Sequence, residues 1–363
     1  MMNYDEFKAY IMEHVVDYFP KEYQIGQISI EKMRKNNDTE LDGLRIMNND
    51  SNIAPIIYIN SSFEMYKTGM SIDEIVEKIA QNYMENMNPS MDVNIGVLSD
   101  FESVKDNITC RLVNAETNEK RLENAPVTPM ADLAVSYHVV VSQNQEGVAS
   151  FMITNDLMER YSVDVGVLNE VAMANMEQTN KPVFMPLADV MMEAMLDDFM
   201  KEFNVSEEQA REMLRENIPT DGPEIYCLTN ESKINGAAAL ANPKVQEMIS
   251  EKVGGDYYIL PSSVHEVLIV PMNANMSYEE LEAMVQEVNA TQVQPEEVLS
   301  DHVYQYDGKN HVINRCDQVQ KKQEHDNEKN REHLQGMEKE ETKEQEKKEE
   351  PNHEEVQEET KKR

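Results

Sequence analysis

The sequence predicts an α+β fold, in which antiparallel or mixed sheets are covered by amphipathic helices and a charged C-terminal tail is disordered. Short runs alternate apolar and polar residues with the period of a strand, as in residues 133–141. Longer stretches place apolar residues three and four positions apart, as in residues 72–87, which is typical of a helix with one buried face. The two kinds of run are interleaved along the chain, as expected for helices packed on sheets.

The first segment, residues 1–90, is predicted to be an α+β subdomain. Its expected elements are a helix at 4–19, strands at 27–31, 41–47 and 53–59, and a helix from residue 72. Pro55 cannot donate to a sheet ladder, so it favours an edge position for the third strand. Ser71 and Glu74 have the spacing of a capping box, which marks the start of the second helix.

The second segment, residues 91–220, combines a hairpin with helices. The strand pattern at 133–141 is followed by a turn sequence at 144–147 and a second strand at 149–153, which together indicate a hairpin. Further helices are predicted at residues 163–176, at residues 186–203 and from Ser206 onward.

The third segment, residues 221–316, is predicted to run strand, helix, strand, strand, helix, strand. The strands are expected at 225–228, 257–260, 264–270 and 302–306, and the helices at 244–253 and from residue 278. Gly254 and Gly255 end the first helix, and Ser277 with Glu280 caps the second. The βαββαβ-like order resembles a split βαβ arrangement, although spacing alone does not give the strand order.

Residues 317–363 form a Glu/Lys-rich, low-complexity segment with almost no aliphatic side chains. Such a composition buries too little apolar surface to offset the entropy of an ordered chain, so a disordered or transiently helical tail is predicted. This segment has 11 basic and 16 acidic residues, so residues 1–316 hold the remaining 22 and 53, a net charge of −31. The negative charge therefore belongs to the folded part.

The charge of the whole chain, −36, bears on its partners. Nucleic-acid affinity comes mostly from Lys and Arg neutralising phosphates, so direct binding to nucleic acid or to an anionic membrane is not expected. A protein partner is compatible with this surface, and a basic one suits it best. The oligomeric state is left open.

The three cysteines, Cys110, Cys227 and Cys316, have neither an even count nor CxxC spacing. This pattern argues against a disulfide framework and against a thiolate zinc site. The N-terminal residues do not have the pattern of a signal peptide, and no apolar stretch of about 18 residues is present. A cytoplasmic location is therefore predicted.

Five separated segments of the chain together resemble one known family. They are residues 41–44 (Leu-Asp-Gly-Leu), 55–60 (Pro-Ile-Ile-Tyr-Ile-Asn), 258–267, 289–293 and 299–304. They resemble a bacterial family known as domain of unknown function 5688, over about residues 1–313 and without the tail. The resemblance implies a cytosolic bacterial protein, and it brings no assigned activity, cofactor or catalytic residue.

Motifs of the common enzyme classes are absent from the sequence. It contains no GxxxxGK[ST], no GxGxxG after a strand, no HExxH and no GxSxG. No cofactor and no resident metal are predicted, and a catalytic role is the less favoured expectation.

The candidates for a catalytic site are His265, Asp301 and His302. Imidazole and carboxylate groups perform general acid–base catalysis and bind metals. If residues 264–270 form a strand, His265 and Glu266 point to opposite faces, so a site requires His265 from one strand with Asp301 or His302 from another. The alternative interpretation is that these side chains are structural.

Two further side chains are expected to be structural. His138, between Ser136 and Ser142 on a strand, is predicted to be half-exposed and hydrogen-bonded, and Cys227 to be a buried, inert thiol.

Methionines at positions 185, 191, 192, 195 and 200 lie on or near one predicted helix. They are predicted to fill the core or, alternatively, to form an adaptable groove for a partner helix.

The function hypothesis is a non-catalytic protein-interaction module with an acidic surface, or more specifically a mimic of nucleic acid. The alternative hypothesis is a metal-assisted hydrolase that uses His265, Asp301 and His302.

Overall fold

The structure is a computed structural model of the 363-residue chain. It describes residues 2–21, 23–48, 54–86, 95–144, 147–217, 224–261, 263–274, 276–329 and 331. The chain divides into two compact units, Met1–Ile313 and Asn314–Arg363. In the described ranges, no helix is both long and apolar enough to cross a membrane. The expected α+β class with antiparallel sheets is confirmed.

The N-terminal part of the first unit is a three-stranded antiparallel sheet with helices. Its elements are α1 (Tyr4–His14), β1 (Ile25–Arg34), β2 (Glu40–Asn48), β3 (Ile56–Tyr58), α2 (Asn60–Lys67) and α3 (Ile72–Asn86). The strand order is β1-β2-β3, so β3, which follows Pro55, is an edge strand as expected. The expected capping box at α3 is present, because Glu74 N donates to Ser71 Oγ and Ser71 N donates to Glu74 Oε2. Helix α1 is shorter than predicted and continues as a 3-10 turn, Val15–Tyr18.

The central part of the unit is a four-stranded antiparallel sheet built around one long strand. Its elements are α4 (Ile95–Leu98), α5 (Phe101–Val104), β4 (Ile108–Asn114), α6 (Glu119–Leu122), β5 (Val127–Met130), β6 (Leu133–Asn144), β7 (Gly147–Met152), α7 (Asn155–Tyr161) and α8 (Val165–Thr179). Strand β6 pairs with β4 along one edge and with β5 and then β7 along the other. The hairpin predicted from the alternation at 133–141 is confirmed as β6–β7.

The two faces of this central sheet differ in polarity. One face carries Cys110, Leu112, Val135 and Tyr137, which belong to the hydrophobic core together with residues of α8. On the opposite face, the register places Arg111 beside Ser136 and Thr109 beside His138. Ser136 and His138 are only 1% and 2% exposed, so this face is polar and buried.

The last part of the unit is a six-stranded sheet. Its elements are β8 (Pro182–Pro186), α9 (Leu187–Phe203), α10 (Glu207–Asn217), β9 (Tyr226–Asn230), α11 (Pro243–Val253), β10 (Tyr257–Leu260), β11 (Val267–Pro271), α12 (Tyr278–Thr291), β12 (Tyr304–Asp307) and β13 (Val312–Arg315). The order is β13-β12-β10-β11-β9-β8.

The crossover helices of this sheet join strands that are not neighbours. Because β9, β11, β10 and β12 pair antiparallel in that order, β9 is parallel to β10 and β11 is parallel to β12. Helices α11 and α12 therefore each make a split βαβ connection with one strand in between. The predicted element order is confirmed, and the structure adds the strand order.

The described residues of the first unit form separate hydrophobic clusters, of which two are large. The N-terminal cluster contains Phe7, Ile11, Leu44, Ile79 and Tyr83, whereas the larger cluster draws on residues from Val104 to Ile313. Residues 87–94 and 218–223, where the predicted subdomain boundaries fall, lie outside the described residues. The boundaries at 90 and 220 stay predictions.

The turn between β1 and β2 is joined by hydrogen bonds to distant loops. Asn37 and Asp38 have left-handed φ values of 57° and 49°. Asn37 Nδ2 donates to the carbonyls of Pro295 (2.8 Å) and Val298 (2.7 Å), and the Asp38 carboxylate accepts the backbone N–H groups of Lys120 and Arg121. These contacts position Arg121 and the loop before β12.

Two strand boundaries need correction. Strand β11 begins at Val267 instead of residue 264, and β12 begins at Tyr304 instead of residue 302. Residues 316–329 and 331, at the start of the predicted tail, are helical, which is one of the two states expected for that segment. The remainder of that tail, residues 332–363, lies outside the described residues.

Candidate functional site

The loops that carry the predicted site residues lie side by side. The loop after β10 and the loop before β12 meet in an isolated antiparallel bridge between Ser263 and Val298. In addition, Ser300 N donates to the carbonyl of Pro261 at 3.0 Å. The structure therefore brings the backbones of the two segments together, and the contacts of each side chain decide whether they form a site.

His265 is held by hydrogen bonds of its own. Its Nδ1 accepts the backbone N–H of Asn235 at 3.1 Å, so the ring proton of the neutral imidazole belongs on Nε2. That Nε2 lies 3.5 Å from Glu297 Oε1. Its backbone N–H donates to Ser263 Oγ at 3.0 Å, which closes a local turn before β11. His265 is thus outside the strand that was predicted to contain it.

His302 and Asp301 have different partners. His302 Nδ1 lies 3.0 Å from Glu282 Oε1 of α12, and Asp301 Oδ1 accepts a hydrogen bond from Asn289 Nδ2 at 2.7 Å. Each imidazole is therefore paired with a separate carboxylate. No group of three or more His, Cys, Asp or Glu side chains that could hold a metal occurs among the described residues. The hydrolase alternative has no ligand set in this part of the chain.

The three cysteines are all buried, and Cys110 and Cys227 are free thiols. Burial raises the pKa of Cys110 to about 12, and burial followed by the nearby Glu266 charge raises the pKa of Cys227 to about 12. A thiol that stays protonated is a poor nucleophile and a poor metal ligand. The structure places Cys227 in the buried strand β9, where it was expected.

The predicted methionine cluster is divided between core and surface. Met192 is 5% exposed and packs with Leu196 of α9 against Ala210 and Leu214 of α10. Met191 and Met195, by contrast, are 46% and 47% exposed. The other two methionines, Met185 in β8 and Met200 in α9, are partly buried.

The exposed residues of α9 form a mixed apolar and acidic surface. Met191, Met195, Asp198 and Glu202 are separated by three or four residues, so they share one side of the helix. Phe203, at the end of the helix, is 50% exposed and its ring centroid lies 4.4 Å from that of Phe199. We call Met191 and Met195 the Met face; Phe203 lies on the side of the helix that carries Phe199.

The hairpin that carries the Met face is acidic. Residues 187–217 contain nine acidic residues and three basic ones. Two of the three basic side chains are paired within the hairpin, since Lys201 lies 4.0 Å from Asp198 and Arg211 lies 3.0 Å from Glu207. The Met face is therefore surrounded by a negative potential.

A second polar arrangement, on the central sheet, was not predicted from the sequence. Arg111 Nη2 donates to Ser150 Oγ at 2.6 Å, and Ser136 Oγ lies 3.2 Å from His138 Nε2. His138 is hydrogen-bonded as expected, but the prediction that it is half-exposed is wrong. Burial, with the charges of Arg111 and Arg121 as further causes, holds its pKa well below the usual value. The sequence signal was a single arginine inside the apolar run of β4.

A family model agrees with the resemblance found in the sequence. The model described as "Family of unknown function (DUF5688)" matches residues 4–308. The chain belongs to the DUF5688 family. The DUF5688 match includes both candidate loops, the Met face and Arg111, and it excludes residues 309–363. No curated protein and no solved structure shows significant similarity to the chain.

Proposed function

We propose that this DUF5688 protein is a non-catalytic interaction module that binds a basic, amphipathic helical segment of another protein through the Met face. The observation that carries the proposal is that Met191 and Met195 are about half exposed on an acidic helical hairpin. The occupant is inferred from charge complementarity and from the exposed apolar side chains of this surface.

The chemistry of methionine supports this proposal. Its unbranched thioether side chain adapts to ligands of different shape, and methionines are frequent on surfaces that bind varied helices. An amphipathic helix places its apolar residues in such a surface at positions i, i+3, i+4 and i+7. The surrounding carboxylates favour a partner rich in Lys and Arg and increase its association rate.

The Met face also bears on the idea of a nucleic-acid mimic. A mimic needs carboxylates spaced like phosphates across a charged surface, whereas on this side of α9 the exposed Met191 and Met195 interrupt the acidic residues. The proposal therefore favours a partner that has both apolar and basic side chains over a nucleic-acid-binding groove.

The proposal includes a bacterial cytoplasmic location. The buried free thiols of Cys110 and Cys227 support a reducing compartment, where free cysteines persist. The oligomeric state is not part of the proposal.

The test uses a synthetic helical peptide that has one Leu-rich face and one Lys-rich face. Its binding to the wild-type protein is compared with its binding to variants. Its affinity is measured by fluorescence anisotropy at low and at moderate salt. Met191→Gln combined with Met195→Gln removes apolar surface without changing the charge, and at moderate salt we expect affinity to fall at least about tenfold. Moderate salt is used because it screens unspecific attraction to the acidic surface.

The matched control is Met248→Gln combined with Met284→Gln. These methionines are 38% and 45% exposed on α11 and α12. A peptide of the same composition with its apolar residues scattered is the second control. The proposal is contradicted if the wild-type protein binds both peptides equally, or if the two double variants lose affinity to the same extent.

A further inference from the structure

We propose that the cavity beside β4 is a binding site for a small organic anion, with Arg111 as the group that binds its carboxylate or phosphate. This inference is independent of the Met face, because it rests on a different part of the unit.

The cavity has a volume of about 330 Å³ and lies between the central sheet, α8, β9 and the 3-10 turn Gly236–Ala241. A volume of this size is at the lower end of the range for small-molecule sites. Its lining combines polar side chains with alkyl groups, among them Asn107, Thr109, Ser142, Val140 and Ile234. Such a lining suits an organic anion with a short carbon skeleton.

The walls of the cavity are fixed by hydrogen bonds. Asn175 Nδ2 donates to the carbonyls of Lys105 (2.7 Å) and Ile108 (2.9 Å). Asn180 Nδ2 donates to Ser232 Oγ, and its Oδ1 accepts the Ser232 backbone N–H. These amides hold α8 beside the start of β4 and the end of β9, so the cavity is preformed.

Arg111 is one of the lining residues, and its guanidinium has unused donors. Nη2 makes the single bond to Ser150, while Nε is buried without a hydrogen-bond partner. Within the described ranges, no carboxylate forms an ion pair with Arg111, and its Nη1 has no partner. A buried charge without a partner is costly, so this arrangement is unusual for a purely structural arginine.

The surroundings of Arg111 add positive charge instead of compensating it. The charge of Arg121 contributes to the lowered pKa of Arg111, after burial as the larger cause. Arg121 is compensated in part by Asp38, whose charge raises its pKa against the effect of burial. His138 lies on the same sheet face and is neutral. Among the described residues, the charge that shifts the pKa of Arg111 is therefore the positive one of Arg121, while the Asp38 carboxylate acts on Arg121.

An arginine without an ion-pair partner is unusual in a chain with such an excess of acidic residues. The protein has 69 acidic residues, and the described ones leave Arg111 unpaired. The planar guanidinium fork matches the two oxygens of a carboxylate or a phosphate. A surface with a net charge of −36 repels anions elsewhere, so saturable anion binding would identify a specific site.

The test is a thermal-unfolding titration of the full chain with inorganic phosphate, sulfate, acetate and citrate at constant ionic strength. A ligand that binds only the native state raises Tm, and we expect a rise of about 2 °C or more at tenfold excess over Kd. Isothermal titration calorimetry checks the stoichiometry, which should be one anion per chain. A larger shift with phosphate than with citrate and acetate assigns a phosphate ligand, and the reverse assigns a carboxylate.

Three variants locate the site. Arg111→Met keeps an unbranched apolar stem and removes the guanidinium with its charge, so the anion-dependent shift should disappear. Ser142→Tyr narrows the cavity while leaving Arg111 in place. It should raise the apparent Kd of the anion at least about tenfold. Arg45→Met, which removes the ion pair with Glu31 (2.6 Å) in the N-terminal sheet, should leave the shift unchanged.

The proposal is overturned if none of the four anions gives a saturable shift in the wild-type protein, or if Arg111→Met retains it. If Arg111→Met does not fold, the Ser142→Tyr titration decides the question, because an unchanged apparent Kd in that variant excludes the cavity as the site.

Discussion

His138 is a buried imidazole that the fold keeps without a proton. Its pKa is lowered by burial first and by the charges of Arg111 and Arg121 next. The unfolded chain binds a proton at this residue below about pH 6.5, and the native state does not. Native stability contributed by the neutral ring is therefore present above pH 6.5 and is lost as the pH falls below it.

We expect the wild-type protein to lose up to about 1.4 kcal/mol of unfolding free energy per pH unit below pH 6.5 relative to His138→Asn. Comparing the two proteins removes the titration of the many carboxylates, which both share. The measurement is urea unfolding between pH 7 and pH 5, and His311→Gln at an exposed position is the control. Parallel curves for wild type and His138→Asn would contradict the prediction.

Cys110 and Cys227 are expected to resist alkylation in the native protein. Burial raises the pKa of both thiols to about 12, so the thiolate fraction at pH 8 is on the order of a thousandfold below that of an exposed cysteine. Iodoacetamide labelling followed by peptide mapping measures the rates, with glutathione as the exposed-thiol control. Labelling of either native thiol at the rate found in urea would show that it is accessible.

Arg111 shows what could not be predicted at the scale of the residue. The excess of charge in the sequence indicates an acidic surface, and a single Arg in an apolar strand is as consistent with an exposed position as with a buried one. Its place follows from pairing with β6, which puts Ser136 opposite it, and from α8 covering the other face. Both are contacts between residues distant in sequence.

At the scale of the element, capping residues and apolar spacing predicted the longer helices well. Helices α3 and α12 begin where their capping boxes indicate, because the cap and the helix are neighbours in sequence. Strands β5 and β8 were not predicted, since each contains proline and few alternating residues. Strand β8 pairs with β9, which lies about forty residues later in the chain. A local sequence pattern does not indicate such a pairing.

The positions of the two candidate histidines were missed for a local reason. In Ser263-Val264-His265 and in Ser300-Asp301-His302, the serine hydroxyl accepts the backbone N–H of the histidine, at 3.0 and 3.1 Å. Such turns compete with strand pairing, so both strands begin only after the histidine. The Ser-x-His sequence occurs a third time, at Ser136-Tyr137-His138 within β6, so the motif alone does not predict such a turn.

Gly236 is expected to be essential for the packing of the 3-10 turn against β9 and the His265 loop. A Cβ at this position would lie 2.5 Å from the carbonyl oxygen of His265 and 2.7 Å from the backbone nitrogen of Asn230. Neither backbone atom can move without displacing its element, so Gly236→Ala should cost about 3 kcal/mol or more.

The matched control for this substitution is Gly254→Ala. There a Cβ meets nothing within 4 Å, and the cost is that of the left-handed backbone (φ +84°), about 1 kcal/mol. Urea unfolding measures both variants. Equal losses would mean that the His265 loop yields to the added methyl group.

For the whole molecule, the order of the six-stranded sheet depends on long-range contacts. The sequence predicted strands and crossover helices, but β9, β11, β10 and β12 are neighbours in an order that differs from their order along the chain. The larger hydrophobic cluster joins the central sheet to this one, with residues such as Leu112 and Ile259 in a common core. Segment boundaries predicted from composition alone do not indicate that two sheets share one hydrophobic core.

The net charge of the molecule predicts how its stability depends on salt. Residues 1–316 carry a charge of −31, and most of the described ion pairs are partly exposed and therefore weak. Repulsion among carboxylates should outweigh these ion pairs. Raising NaCl from about 0.02 to about 0.5 M shortens the screening length several-fold and weakens this repulsion, so Tm should rise. Differential scanning calorimetry at neutral pH measures the shift.

Arg111→Met separates this general effect from binding at the cavity. Screening acts on the whole surface, so the NaCl-dependent rise in Tm should be nearly the same in the variant and in the wild-type protein. Phosphate or citrate at equal ionic strength should raise Tm further in the wild-type protein alone. A Tm that falls with NaCl would show that ion pairs dominate the surface. A rise with NaCl that is lost in Arg111→Met would instead attribute the salt effect to chloride at that arginine.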